Sequence, residues 1–443
     1  MSTVGILASD GSNRQKVVLT ATLFMGLAHI IYFRQYLKGA IYALLEVIFI
    51  IFIPTIVRRI SSLIILGEPQ PDLPIMQRDN SMFMLIDGVI TIIIIAIFFV
   101  IYYLSVKDAT HEYHDYCINH GEYKSNRSSF ANLLGKAFPV VGLAPSIGLV
   151  VFFVLVPLLF SAAVAFTNYA SPGHIPPGNT VDWVGSENFT SLFGGSSEWT
   201  SAFIRVAIWT LTWATAATVT CYFGGLLMAV VLHESKILIK PFFRTIFILP
   251  YAVPAVVSML VWQNLLNGTF GIINRTLIEI GVMSTPIPWL SDASLVKFVV
   301  VAINLWAGFP YFMLLSMGTM TAISADVYEA AKIDGASKFQ VFRRISLPLV
   351  LYQTMPLIIM SFTHNVNNFG AIFFLTGGGP TAADSTTSGA GATDILVTWI
   401  YKLTINLQQY KYAAVIAVLI FVVLAPFAIW NFSRTKSYRE GEL

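Results

Sequence analysis

Residues 325–348 read ADVYEAAKIDGASKFQVFRRISLP and lie between two long apolar runs. The whole chain is 56% hydrophobic and only 11% charged, against ~25% charged residues in soluble domains. Such a chain has little reason to gather Asp326, Glu329, Lys332, Asp334, Lys338, Arg343 and Arg344 in one short interval unless that interval lies in water. Its local chemistry is that of two short helices. Asp326 and Glu329 have the spacing of an N-cap and its N3 partner, and Ser337 with Gln340 repeats the capping-box pattern one step later. Gly335 between them suits the left-handed backbone that ends a helix. On the second helix, Val341, Ile345, Phe339 and Phe342 give an apolar side opposite Lys338, Arg343 and Arg344. A helix of this kind docks into a partner's groove.

Outward from that loop, the apolar runs predict an all-α polytopic membrane protein. About 20 apolar residues are needed to cross the hydrocarbon core as a helix. Eight runs qualify, at about 40–57, 82–104, 139–166, 201–232, 245–266, 294–321, 349–375 and 412–432. A further run, 17–33, is short, carries His29 and is bracketed by Arg14, Lys16, Arg34 and Lys38, so it is expected to lie in the interface or re-enter rather than cross. Orientation follows from the cations. Lys107, Lys124, Arg127 and Lys136 in 105–138, Lys236, Lys240 and Arg244 in 233–244, and Arg434, Lys436 and Arg439 after 433 mark the cytoplasmic side, together with the loop around Glu329. The cation-poor stretches 167–200, 267–293 and 376–393 then face outside. Arg58 and Arg59, at the outer end of the first crossing, run against this rule.

Several function classes drop out. Cys117 falls in a predicted cytoplasmic loop and Cys221 in a span, which suggests neither a disulfide nor a thiolate metal site. His111 and His114 lie near Asp115 and Cys117, but no second ligand pair accompanies them, so a solvated charged loop is expected and no metal. The start of the chain is polar and shows no small-residue cleavage site. No G-x-x-x-x-G-K-[ST] loop is present, since Gly135-Lys136 is followed by Ala137. The chain is therefore not expected to be an enzyme or to bind ATP and Mg itself; a partner would supply them. The net charge of +3 points to anionic lipid rather than nucleic acid.

Polar residues on apolar helices suggest what passes through. Asn304, Gly308 and Tyr311 stand at i, i+4 and i+7 on one face of the helix leading into the loop. Ser361, Asn365 and Asn368 repeat that spacing on the next helix. Amides and a phenol bond sugar hydroxyls as donor and acceptor, and aromatic rings stack on pyranose faces. The competing reading is that Asn and Ser act as packing glue between helices.

The spacing EAA, three residues, Gly335, nine residues, then Ile345-x-Leu347-Pro348 resembles the motif of ABC importer permeases. The resemblance implies a type I importer core of six helices behind an amino-terminal extension. It implies that the loop, 322–348, couples to a cytoplasmic ATPase through Glu329, Ala330, Ala331, Asp334, Gly335, Ile345, Leu347 and Pro348, with a mainly capping role for Glu329 as the lesser alternative. One departure is Ser324, where many members carry Pro ahead of the first helix. The runs Asn304-Leu-Trp-Ala-Gly308-Phe-Pro-Tyr311 and Ser361-Phe-Thr-His364-Asn365-Val-Asn-Asn368 resemble the sugar-lining helices of the larger maltose permease subunit, the MalF type. They imply sugar contacts at Asn304, Gly308, Tyr311, Ser361, Asn365 and Asn368. His364 stands where an aromatic ring is expected. Trp183-Val184-Gly185, Phe242-Phe243-Arg244 and Gly377-Gly378-Gly379-Pro380 extend the similarity over most of 140–435. The front region, with Lys38-Gly39 and Glu46, and the short 167–200 loop resemble Gram-positive maltodextrin permeases.

The division expected is 1–138 as an amino-terminal membrane extension, 139–435 as the transport domain and 436–443 as a cytoplasmic tail. The implied partners are a second homologous permease subunit, two ATPase subunits, an extracellular sugar-binding protein and the bilayer of the cell membrane. The implied cargo is a maltodextrin, with another neutral, raffinose-type oligosaccharide as the alternative. An ion-coupled secondary transporter would place carboxylates near the midplane, and the last six spans carry none. A purely structural subunit would tolerate loss of Tyr311 and Asn365. Glu46, Asp87 and Arg205 are expected to be structural or interfacial, with Glu46 and Asp87 at opposite ends of their helices.

Overall fold

The computed structural model describes residues 11–118, 138–194, 197–234 and 239–433, which form two compact units divided between Trp183 and Val184. Lys124, Arg127, Lys136, Lys236, Arg434, Lys436 and Arg439, and the tail 436–443, lie outside the described residues. The regular structure of the described chain is helical; the connecting loops carry only isolated β-bridges. Among the described residues, seven helices are long and apolar enough to cross a membrane, or eight if a bent pair counts as one span.

In the first unit, α1 (Gly11–Leu23) and α2 (Leu27–Ile31) are both too short to span. Their apolar residues Val17, Ala21 and Ala28 pack on Ala109, Tyr113 and Tyr116. Those partners belong to α4 (Ser81–Ile118), which pairs with α3 (Tyr36–Ile65) as a hairpin. The charged stretch after 104 is therefore not all loop. Helix α4 continues through it to Ile118, because Ala109, Tyr113 and Tyr116 form a helical stripe that the amino-terminal segment buries. His29 Nε2 meets Asp108 Oδ2 at 2.9 Å, and Lys38 Nζ joins the same carboxylate at 2.5 Å. Glu46 accepts from the Met25 backbone N–H and so ties α3 to the α1–α2 turn. At the far end of the hairpin, Ser81 Oγ donates to Leu66 O at 2.6 Å and accepts from Val181 N at 3.0 Å. Arg59 Nε faces Asp87 Oδ2 at 3.9 Å across the hairpin. Helix α5 (Phe138–Val150) runs through a π-helical turn, Val151–Leu155, into α6 (Val156–Val164), which packs against Val89 and Ile93.

The second unit opens with α7 (Glu187–Phe193) and the long α8 (Glu198–Glu234). Next, α9 (Lys240–Ala252) and α10 (Ala255–Leu265) are bent by 90° at Val253-Pro254, so the run 245–266 is not one straight crossing. Proline cannot donate its missing N–H and disfavours a helical residue before it. After α11 (Ile272–Glu279) comes α12 (Leu295–Thr321), which packs closely on α8. Close approach depends on Gly225: a Cβ there would stand 2.6 Å from Met313 N. Beyond the polar loop, α15 (Leu347–Val366) ends at Asn367, and α16 (Phe369–Thr376) starts afresh with Asn368 as its cap. The run 349–375 is thus broken as well. The short α17 (Ser385–Ser388), α18 (Leu396–Ile405) and the last span α19 (Tyr410–Phe432) complete the unit. Arg205 on α8 binds Asp384 and donates to Gly391 O at 2.6 Å and Ala390 O at 2.9 Å, which fixes the loop around α17. Its position near the predicted outer interface is a structural one.

Candidate functional site

In the polar loop, α13 spans Ala325–Ile333 and is capped by Ser324, whose Oγ accepts from Asp326 N at 3.3 Å. Asp326 is therefore inside the first turn rather than the cap. Ser324 gives a start that Pro would otherwise provide. Gly335 has φ +74°, the left-handed value that lets Ala336 N return to Ala331 O at 3.0 Å. Ser337 and Gln340 form a full capping box, with Ser337 N to Gln340 Oε1 at 2.7 Å. They start α14 (Lys338–Val341), which is not a free helix. It passes through a π-helical turn, Phe342–Ser346, directly into α15. Lys338–Val366 is one 29-residue rod. Phe342 and Leu347 turn inward onto the cluster of Cys221, Tyr222 and Val350, so the expected apolar side splits. Phe339 is 68% exposed and Ile333 87%. Glu329, Ala330, Asp334, Gly335 and Pro348 are exposed, Ile345 is half-buried, and Ala331 is buried.

Four helices line an open cavity of about 340 Å³ in the second unit. Every residue of the two polar stripes reaches it: Asn304, Gly308 and Tyr311 from α12, and Ser361, His364, Asn365 and Asn368 from α15 and its end. Cys221 of α8 and Tyr251 of α9 line it too, and spacing along one helix could not have found them. Tyr251 precedes the bend at Pro254, which aims its ring at Tyr311, centroids 6.1 Å apart.

The polar groups are not equally available. Asn365 is 5% exposed, and its Nδ2 donates to Thr218 Oγ1 at 3.0 Å while its backbone carbonyl accepts from Trp213 Nε1 at 3.1 Å. Asn368 Oδ1 caps Ala371 N at 3.2 Å, and its Nδ2 points to Asn365 Oδ1 at 3.4 Å. These two asparagines are engaged in holding the broken end of α15, which favours the packing reading for them. Asn304 Nδ2 donates to Cys221 Sγ at 3.3 Å, and the thiol lies 3.4 Å from Asn304 O. Among the described residues, no hydrogen bond engages the Tyr311 or Ser361 hydroxyl or the His364 ring. The lining holds no Asp, Glu, Lys or Arg. An uncharged surface that combines the rings of Tyr251, Tyr311 and Phe312 with free hydroxyl and imidazole groups suits a neutral polyol ring and offers an ion no counter-charge.

Residues 221–434 match the family described as the binding-protein-dependent transport system inner membrane component. A galactooligosaccharide transport system permease protein of Bacillus subtilis is 36% identical over 427 residues, covering 96% of this chain and 99% of that protein. The chain belongs to the ABC sugar importer permeases. A maltodextrin transport system permease protein of Streptococcus pneumoniae is 34% identical over 92% of this permease and 93% of its own length. The maltose/maltodextrin permease protein MalF of Salmonella typhimurium is 37% identical over 266 residues, 59% of this permease and 51% of that protein. A bacterial ABC transporter that imports alginate shares the fold, with a TM-score of 0.54 at 21% identity over 70% of this permease and 100% of that chain. The permease is accordingly a multi-pass membrane protein of an ABC importer.

Proposed function

We propose that the permease moves neutral oligosaccharides of the maltodextrin type inward by alternating access, through the cavity between α8, α9, α12 and α15. The observation that carries this reading is the charge-free lining with Tyr311, Tyr251, Ser361 and His364 turned into it. The aromatic pair supplies a stacking face, and the free hydroxyl and imidazole groups supply hydrogen bonds. The loop 322–348 receives closure of two partner ATPase subunits, with Glu329, Ala330, Asp334 and Gly335 on its open face. ATP and Mg belong to those subunits. A second, homologous membrane subunit and an extracellular sugar-binding protein complete the machine. Sugar affinity alone shifts no equilibrium, so the cavity must differ between the inward and outward states.

The strong likeness to a galactooligosaccharide permease favours a second cargo, the galactooligosaccharides. The test is uptake of labelled maltotriose and of galactotriose into proteoliposomes holding the full assembly and its binding protein. ATP-dependent uptake of maltotriose that Tyr311→Ala abolishes supports the proposal. Selective uptake of galactotriose changes the cargo and keeps the machine. Uptake driven by an ion gradient without ATP overturns the coupling.

A further inference from the structure

Between α3 and α4 runs a second cavity, of about 390 Å³. Leu45 and Ile101 stand at its inner end, Arg59 and Thr91 at its outer end, and Phe49 lies flat on Phe98 beside it, centroids 3.7 Å apart. Its residues are apolar apart from Thr55, Thr91 and Arg59. The stretches of helix concerned cover ~15 Å on α4 and ~21 Å on α3, about the depth of one leaflet in a ~30 Å hydrocarbon core. An apolar slot of that length, opening to the hydrocarbon and closed at the outer surface by a cation, matches one acyl chain beneath a phosphate. The cation is not spent. Arg59 meets Asp87 only at 3.9 Å with both side chains about half exposed, and Arg58 is exposed with no partner among the described residues. The two arginines outnumber the one carboxylate. Their violation of the positive-inside rule is otherwise unexplained, since an exposed pair at the outer end contributes nothing to the sugar cavity.

We infer that this groove is a phospholipid site of the outer leaflet, with one acyl chain between α3 and α4 and the phosphate on Arg58 and Arg59. An ordered lipid there fills the groove left beside the packed seam of the two helices, and it fixes the height of the hairpin in the bilayer.

The test uses the complete importer purified from vesicles that contain equal amounts of phosphatidylglycerol and of a diglucosyl diacylglycerol with the same acyl chains. Lipid retained per complex is read by native mass spectrometry. Phosphatidylglycerol is expected to be enriched. Arg58→Gln, which breaks no contact of the fold, is expected to lower that enrichment about fivefold, the effect of one basic residue at a headgroup surface. Thr55→Trp, placed inside the groove, is expected to remove the bound lipid with the arginines intact. Equal retention of the two lipids, or enrichment unchanged in Arg58→Gln, overturns the site. So does a disulfide from Thr55→Cys to a cysteine scanned along the second membrane subunit, which would make the groove a protein interface.

Discussion

Gly308 sits where α12 meets Cys221 of α8, and a Cβ added there would stand 2.8 Å from Cys221 Sγ but 3.6 Å from Cys221 Cβ. The first distance is a clash and the second an ordinary contact. Gly308→Ala should therefore be harmful because of one atom. In an isolated helix the change stabilises by ~0.8–1.0 kcal/mol, whereas overpacking a tight interface costs ~1–3 kcal/mol. The net expectation is destabilisation of up to about 2 kcal/mol. The thiol can escape only by giving up its contacts with Asn304 at 3.3 and 3.4 Å, which frees the carboxamide at the cavity wall. Uptake should fall in either case. Removing the sulfur reverses the sign: in a Cys221→Ala background, Gly308→Ala should be neutral or stabilising, a coupling of about 1–3 kcal/mol between the two positions. A double-mutant cycle on the assembled importer in nanodiscs, read by thermal unfolding and by sugar uptake, measures it. An equal penalty for Gly308→Ala in both backgrounds would refute the assignment of the clash to Cys221.

Other expectations concern separate parts of the permease. Asp394 is fully buried and is held by Lys402 Nζ at 2.6 Å, Thr398 Oγ1 at 2.8 Å and Gly391 N at 2.6 Å. Lys402→Met strands that carboxylate and should cost ~3–5 kcal/mol, seen as loss of assembled protein, while adding Asp394→Asn should restore most of it. Glu329→Ala should uncouple ATP hydrolysis from uptake with sugar binding intact; unchanged uptake would reduce Glu329 to a helix former. His364→Tyr should alter the ratio of maltotriose to maltose uptake while sugar-stimulated ATP hydrolysis stays within about twofold. An unaltered ratio would remove His364 from the sugar path.

The hydropathy of the chain carried the spans well, because ~20 apolar residues have few other uses. What it missed has physical causes. Residues 245–266 are apolar throughout, and an averaged hydropathy has no term for the backbone break that Pro254 imposes. Likewise Asn367 and Asn368 interrupt a run whose average stays apolar. Residues 105–118 were polar enough to read as loop, yet Ala109, Tyr113 and Tyr116 bury a helical stripe under the amino-terminal segment. At the cavity, periodicity correctly put Asn304 with Tyr311 and Ser361 with Asn365 on shared faces. It could not say which faces of different helices meet, so Cys221 and Tyr251 went unseen. Nor could it say that Thr218 and Trp213 already occupy Asn365. A polar side chain pointing towards a cavity and one bonded to a neighbouring helix look alike until the neighbour is known.

The unbroken rod from Lys338 to Val366 also sets a mechanical scale. Its widened π turn at Phe342–Ser346 is a natural fulcrum, since such turns weaken the local hydrogen-bond ladder. Ser361 stands ~25 Å further along the same lever. A tilt of about 5° at the fulcrum then displaces Ser361 and His364 by roughly 2 Å, enough to break a hydrogen bond of ~2.8 Å. The capping box at Ser337 and the cavity-lining hydroxyl at Ser361 thus stand on opposite sides of that fulcrum. A displacement at the Ser337 end is carried along the backbone of one continuous helix to the cavity wall at Ser361 and His364, with no relay of intermediate side chains.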